Sequence, residues 1–224
     1  LRPPEEAFDS LTLAAWKGAG GSYVLSGNEA RSASPELHDT SEGTLVLLPR
    51  LLKDDYTVIV RDITLRSEHL TDAFLAGAEK MRAIGGLAII TGHTQIITSG
   101  PRLDAVRAVA DSVRSQSGWW LARADGVAEW WLDRSMVELQ WASPSNVPSG
   151  QNLLSAGIPD VIVATSSETR RDDVWIDISA PQMSQSVMPF VDGVSVEFAL
   201  EDWGMRLRVG MVEAGVTRRI SFAT

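Results

Sequence analysis

Gly85-Gly86-Leu87-Ala88-Ile89-Ile90-Thr91-Gly92-His93 is the stretch on which the reading of the fold turns. Four apolar residues follow one another without alternation, which predicts a strand buried on both faces, as in a parallel sheet. Upstream, Leu70, Phe74, Leu75, Ala78 and Met81 recur at helical spacing, and Gly85-Gly86 ends that helix. The residue just past the strand is His93, on the face where α/β sheets gather their active sites.

Working outward, the same alternation recurs. Phe8, Leu11, Ala14 and Ala15 share one face of a helix that starts near Asp9 or Ser10 and stops at Gly18-Ala19-Gly20-Gly21. Tyr23 to Leu25 reads as a short strand, and 28–42 as a polar surface loop. Leu45 to Leu48 reads as a buried strand ended by Pro49, and Tyr56 to Val60 as a further strand. Pro101 opens a helix with Leu103, Val106, Val109 and Val113 as its apolar stripe. Trp119 to Ala122 predicts one more strand, and Val127 to Leu132 a last helix. Helices and strands in alternation imply a parallel α/β layout.

Near Ser135 the pattern changes. Val137-Leu139-Trp141, Val161-Val163, Val174-Ile176-Ile178, Val194-Val196-Phe198, Met205-Leu207-Val209 and Val216-Arg218-Ile220 alternate with polar residues. Turn residues such as Asp192-Gly193 separate them. This predicts a small antiparallel sandwich. The expected fold class is therefore α/β followed by all-β, with residues 1–134 in the first domain, 135–224 in the second, and the boundary within 134–142.

Composition narrows the function classes. The net charge of −9 disfavours nucleic acid and anionic membrane as partners. Lysine is confined to Lys17, Lys53 and Lys80, and the arginines are scattered rather than patched. With no cysteine, thiolate metal sites, disulfides and cysteine nucleophiles are excluded. No apolar run approaches the roughly 18 residues of a membrane-spanning helix. Eight tryptophans, including the doublets Trp119-Trp120 and Trp130-Trp131, serve packing or offer faces for sugar stacking.

Three groups could carry chemistry. His93 has an imidazole, the side chain suited to acid–base work near neutrality. Arg2 is held by the rigid Pro3-Pro4 and offers a bidentate fork to a carboxylate. Lys53-Asp54-Asp55-Tyr56 pairs two acids that can orient a base or face water.

Taken in order, Arg2-Pro3-Pro4, Asp54-Asp55-Tyr56 and Gly92-His93 resemble the third, fourth and fifth motifs of a polysaccharide deacetylase domain of the NodB-homology type. The run Gly100 to Val106, and Trp119 through Trp131, look like that domain's closing segment. The resemblance covers roughly residues 1–134. It implies the second half of a deacetylase-type β/α barrel, hence a partial barrel with one raw edge, and a β domain of the kind that follows the barrel in some of these proteins.

The resemblance further implies a metal-dependent hydrolase that removes acetyl groups from an N-acetylated polysaccharide or oligosaccharide. His93 would protonate the leaving amine, and Arg2 would orient the base aspartate. Asp54 or Asp55 would support Arg2 or the cleft. Pro4, Glu5 and Gly92 would line the substrate cleft, with the Glu5 amide as oxyanion donor. A divalent metal, zinc by preference, would be held by an Asp-Asp motif and a His-x-x-x-His motif upstream of Arg2. Neither motif occurs in these residues. The histidines here are His38, His69 and His93, with no i, i+4 pair, and His38 and His69 read as surface residues. The sequence departs from the family pattern at Glu5-Glu6, where an aromatic residue and a glycine are usual, and at Thr91, where leucine is frequent.

Two other readings compete. One is a non-catalytic carbohydrate-binding or envelope-associated module with a degenerate α/β lobe, holding sugar through Trp141, Trp175 or Trp203. The other is a structural module without a site.

Overall fold

A computed structural model describes residues 1–3, 7–27, 32–61, 67–97, 100–141, 161–165, 170–179, 187–202 and 204–223. The chain divides into two compact units, Leu1–Leu132 and Asp133–Thr224.

The first unit opens with helix α1 (Ser10–Gly18). Asp9 caps it, its carboxylate accepting the Thr12 amide at 2.8 Å. The buried face is not the expected one. Leu13 is buried and packs with Val24 and Leu45, while Leu11 is 77% exposed. Periodicity alone could not choose between these stripes, because α1 carries apolar residues on both. Gly21 closes the turn beneath Trp16, whose indole donates to the Tyr23 carbonyl at 3.0 Å. A Cβ at Gly21 would stand 2.3 Å from that ring.

Strands β1 (Tyr23–Ser26), β2 (Glu36–Thr40) and β3 (Gly43–Pro49) form a mixed sheet in the order β1-β3-β2. β1 and β3 are parallel, with Tyr23 opposite Val46, and β2 is antiparallel to β3. Leu1 extends the pattern, donating to the Tyr23 carbonyl at 3.3 Å and accepting from the Leu25 amide at 2.9 Å. That is the bonding of a parallel neighbour. β3 shows why its apolar run is continuous. Leu45 and Leu47 pack toward Leu13 and Trp16, whereas Val46 and Leu48 pack toward Val127, Ala128, Leu87 and Ile89.

Helix α2 (Ser67–Ala83) lies against α4 (Gly100–Arg114), with Leu70 and Phe74 meeting Ala105 and Val109. Gly85, at φ +66°, ends α2, and the Gly86 amide reaches back to the Met81 carbonyl at 2.8 Å. The short α3 (Thr94–Ile97) and α5 (Ala124–Ser135) complete the helices.

Several expectations are corrected here. The polar run 28–42 contains β2. The apolar run Tyr56 to Val60 is wound, with Thr57–Arg61 forming a π-helical turn. Leu87 to Ile89 is half-buried and Ile90 exposed, and the run joins no ladder; neither does Trp119 to Ala122, where Trp120 and Leu121 are exposed. Leu87 binds the Ala33 carbonyl instead, at 2.7 Å. The parallel sheet is thus smaller than expected, and no closed barrel occurs among the described residues.

The second unit holds two antiparallel sheets. One joins β6 (Arg171–Ser179), β10 (Gly204–Val212) and β9 (Phe198–Glu201) in the order β6-β10-β9. The other joins β4 (Val137–Trp141), β5 (Val161–Thr165), β11 (Thr217–Ala223), β7 (Met188–Val191) and β8 (Val194–Ser195) in the order β4-β5-β11-β7-β8. Ile176, Ile178, Met205 and Leu207 of the first sheet share one core with Val163, Val191, Ile220 and Phe222 of the second, which is sandwich packing. The alternation anticipates most of these strands. It misses β7, and it merges β8 with β9, which Val196 and Glu197 separate.

Phe74→Ala is expected to cost about 3–5 kcal/mol in a denaturant melt, because the ring is buried between α2 and α4. Leu11→Ala is expected to change stability by less than about 0.5 kcal/mol. A large loss at Leu11 would restore the stripe that periodicity suggests.

Candidate active site

β1 and β3 run in the same direction, so their carboxyl ends deliver the chain to one edge. There the Arg50 amide donates to the Ser26 carbonyl at 2.7 Å, and the chain turns through Arg50 to Tyr56. Segment 86–93 arrives at the same edge. The Asp55 amide donates to the Thr91 carbonyl at 3.2 Å and fixes the two stretches against each other.

Asp55 is fully buried. A buried carboxylate is stable only if its oxygens are occupied. Oδ2 accepts the main-chain N–H of His93 at 2.8 Å. Oδ1 accepts the Tyr56 amide at 2.9 Å and lies 2.6 Å from His93 Nδ1. A carboxylate only accepts, so in this network Nδ1 carries the proton and Nε2 is left as the working nitrogen. The His93 side chain is partly exposed, at 29%. Tyr56 stands edge-on to the imidazole with 6.2 Å between ring centres, limiting its rotation. The result is a partly exposed histidine aimed and held by a buried aspartate, the arrangement in which an imidazole gives and takes protons at one defined atom.

Asp54 has a different task. Its Oδ1 accepts the Thr57 amide at 2.8 Å and the Thr57 hydroxyl at 2.7 Å, capping the wound segment. Arg50 lies 3.8 Å from Oδ2. Burial opposes ionisation of Asp54, but the Thr57 hydrogen bonds, with Arg50 and His93 beyond, outweigh it and hold the carboxyl below the usual aspartate value. Burial, together with the like charge of Arg2, lowers the proton affinity of Arg50, and Asp54 opposes this.

Asp54, Asp55 and His93 therefore meet, and Arg2 lies near enough to Arg50 to act on its charge. Of the two acids, Asp55 serves His93. Gly92 has a packing role: a Cβ there would stand 2.4 Å from Ile97 Cδ1, so glycine lets α3 fold back over the chain. The His93 carbonyl in turn accepts the Ile96 and Ile97 amides of α3 at 2.8 and 3.0 Å. Pro4 and Glu5 lie outside the described residues. His69 is exposed on α2, while His38 sits half-buried in β2, opposite Leu45. Sequence reasoning overlooked Arg50. The signal was its place directly after the strand-ending Pro49, the same positional cue that singled out His93.

Among the described residues no three His, Asp or Glu side chains converge to hold a metal ion.

Asp55→Ala strands the His93 and Tyr56 amides and is expected to cost about 3 kcal/mol in a denaturant melt. Asp54 makes a separate prediction about acid. Because its folded value is depressed, its contribution is fully present above the ordinary aspartate value of about 3.9 and is lost as pH falls through the lower folded value. Asp54→Asn, which cannot ionise, is expected to flatten the acid limb of the stability–pH curve below about pH 4. An unchanged acid limb would dismiss the capping account of Asp54. Compared with protein-family models, curated proteins and solved structures, the chain matches none.

Proposed function

We propose that the first unit supplies the proton-donating side of an N-deacetylase active site, acting on an acetylated amino-sugar polymer. The observation that carries this reading is the contact between buried Asp55 and His93 Nδ1, at 2.6 Å. Hydrolysis of an acetamide ends when the carbon–nitrogen bond of a tetrahedral adduct breaks. An amide nitrogen is a poor leaving group unless it is protonated as that bond breaks. A protonated His93 delivers that proton from Nε2, and the electron pair of the breaking bond stays on nitrogen as the free amine. The Asp55 carboxylate stabilises the imidazolium before transfer and keeps the ring turned outward. Arg2 and Arg50 place positive charge at the same edge, where an anionic reaction partner gains from it. The order Arg2-Pro3-Pro4, Asp54-Asp55-Tyr56 and Gly92-His93 supports the deacetylase family over other uses of such a pair. The Asp-Asp and His-x-x-x-His motifs that hold the metal in that family do not occur in these residues.

The test is acetate release from N-acetylated oligosaccharides, with and without zinc, by a chain extended upstream of Leu1. Metal-dependent release that falls about 10²–10⁴-fold in His93→Ala is the expected result. Asp55→Asn should lose less than His93→Ala, since the imidazole remains but is no longer held as a charged acid. Release undiminished in His93→Ala, or no release from a folded, metal-loaded protein on any of several such sugars, would end the proposal.

A further inference from the structure

The outer face of the sheet β6-β10-β9 carries a second arrangement that the proposed deacetylase chemistry does not use. On β6, Asp173, Trp175 and Asp177 point away from the sandwich core, while Ile176 and Ile178 point into it. On β10, Arg206 and Arg208 face outward opposite Asp177 and Trp175. Trp175 is 41% exposed. An indole on a sheet surface costs free energy by facing water, so its place there calls for an explanation.

The ring is also held. Its N–H donates to the Asp173 carboxylate. The Arg208 guanidinium lies over the ring, 5.9 Å from its centre, and is itself hydrogen-bonded to Asp173. Glu197 stands 3.7 Å from the far side of the same guanidinium. The backbone is shaped to suit. Asp173 sits at φ +57°, a region that non-glycine residues rarely occupy, and the ladder shifts register beside it at Gly210, φ +77°. Strained backbone of this kind collects where a surface has a task. Two residues along, Arg206 donates through Nε and Nη2 to the two Asp177 carboxylate oxygens, at 2.8 Å each.

The chemistry of the rim points to the class of ligand. Both arginines are already matched by carboxylates, so the face is not a vacant anion site. What it presents is a fixed aromatic surface ringed by guanidinium N–H groups and carboxylate oxygens, with donors and acceptors interleaved. A pyranose is complementary to that surface, since its axial C–H groups lie on an indole and its equatorial hydroxyls project to the rim as both donors and acceptors. Because Asp173 and Arg208 fix the indole beforehand, little ordering remains for binding to impose.

We propose that Trp175 is the stacking platform of a saccharide-binding site on the second unit, with Arg208, Asp173 and Glu197 as the polar rim that receives the sugar hydroxyls. This goes beyond the deacetylase reading and needs neither His93 nor a metal.

The test is titration calorimetry of the whole chain in chelator, using two probes: hexasaccharides of β-1,4-linked N-acetylglucosamine and of β-1,4-linked glucose. Binding of either probe that weakens at least about tenfold in Trp175→Ala, and less in Trp175→Phe, is expected, given that truncating a stacked aromatic anchor removes most of its contribution. The glucose hexasaccharide carries no N-acetyl group, so Trp175-dependent binding of that probe separates this proposal from the deacetylase one. Binding unaffected by Trp175→Ala, with circular dichroism showing both proteins folded, would overturn it. So would the absence of binding of both probes by the folded chain.

Discussion

A carboxylate without solvent must find its partners in the protein, and in the first unit that demand falls on Asp55. Leaving such a group buried and unpaired costs several kcal/mol, a large share of the stability of any domain. Its oxygens are met by two main-chain amides and one imidazole nitrogen, all contributed by Tyr56 and His93. The docking of His93 against Asp55 and the aim of its ring follow from satisfying that one carboxylate.

The frame that makes this possible is β3. Its consecutive apolar residues are covered on both faces, by α1 on one side and by α5 with Leu87 and Ile89 on the other. Burial on two faces fixes both the depth and the direction of the strand. It therefore fixes where Arg50, Asp54 and Asp55 emerge. The parallel partner β1 ends at the same edge, so the polar residues past the strand ends are gathered by topology rather than by proximity in sequence. Hydrophobic burial selects the position, and the polar network then sets the orientation of the side chains.

How much of this could be read beforehand depended on whether the deciding interaction was local. Helices α1 and α2 were legible because Asp9 caps one and Gly85-Gly86 ends the other. The alternation of Val174, Ile176 and Ile178 likewise shows directly which side of β6 meets the core. Tyr56 to Val60 misled, because β-branched residues in a row resemble a strand. The overriding signal was Asp54 with Thr57 three residues on, a cap that begins a helical turn. Leu87 to Ile90 misled differently. Its apolar character reports contact with Val46 and Leu48, which needs no ladder. His93 could be singled out from its place after that run and from its order among the motifs. That Asp55, and not Asp54, would hold it could not, because the two positions are 38 residues apart and no local rule distinguishes adjacent acids.

The two units put charge to contrasting use. In the first, a single buried carboxylate governs the geometry of a candidate acid. In the second, Arg206, Arg208, Asp173 and Asp177 form pairs in contact with water, where each adds at most about 1 kcal/mol to stability. Pairs so weak do not explain the sandwich, whose core of Ile176, Ile178, Met205, Leu207 and Ile220 is sufficient reason for its two sheets to pack. They do restrict side chains that would otherwise sample many rotamers. Arg208 spans Asp173, Glu197 and the Trp175 ring at once, and a guanidinium fixed at three points does not swing away from the indole. The effect of the Arg208–Asp173 pair is thus on the conformation of one aromatic side chain rather than on the fold.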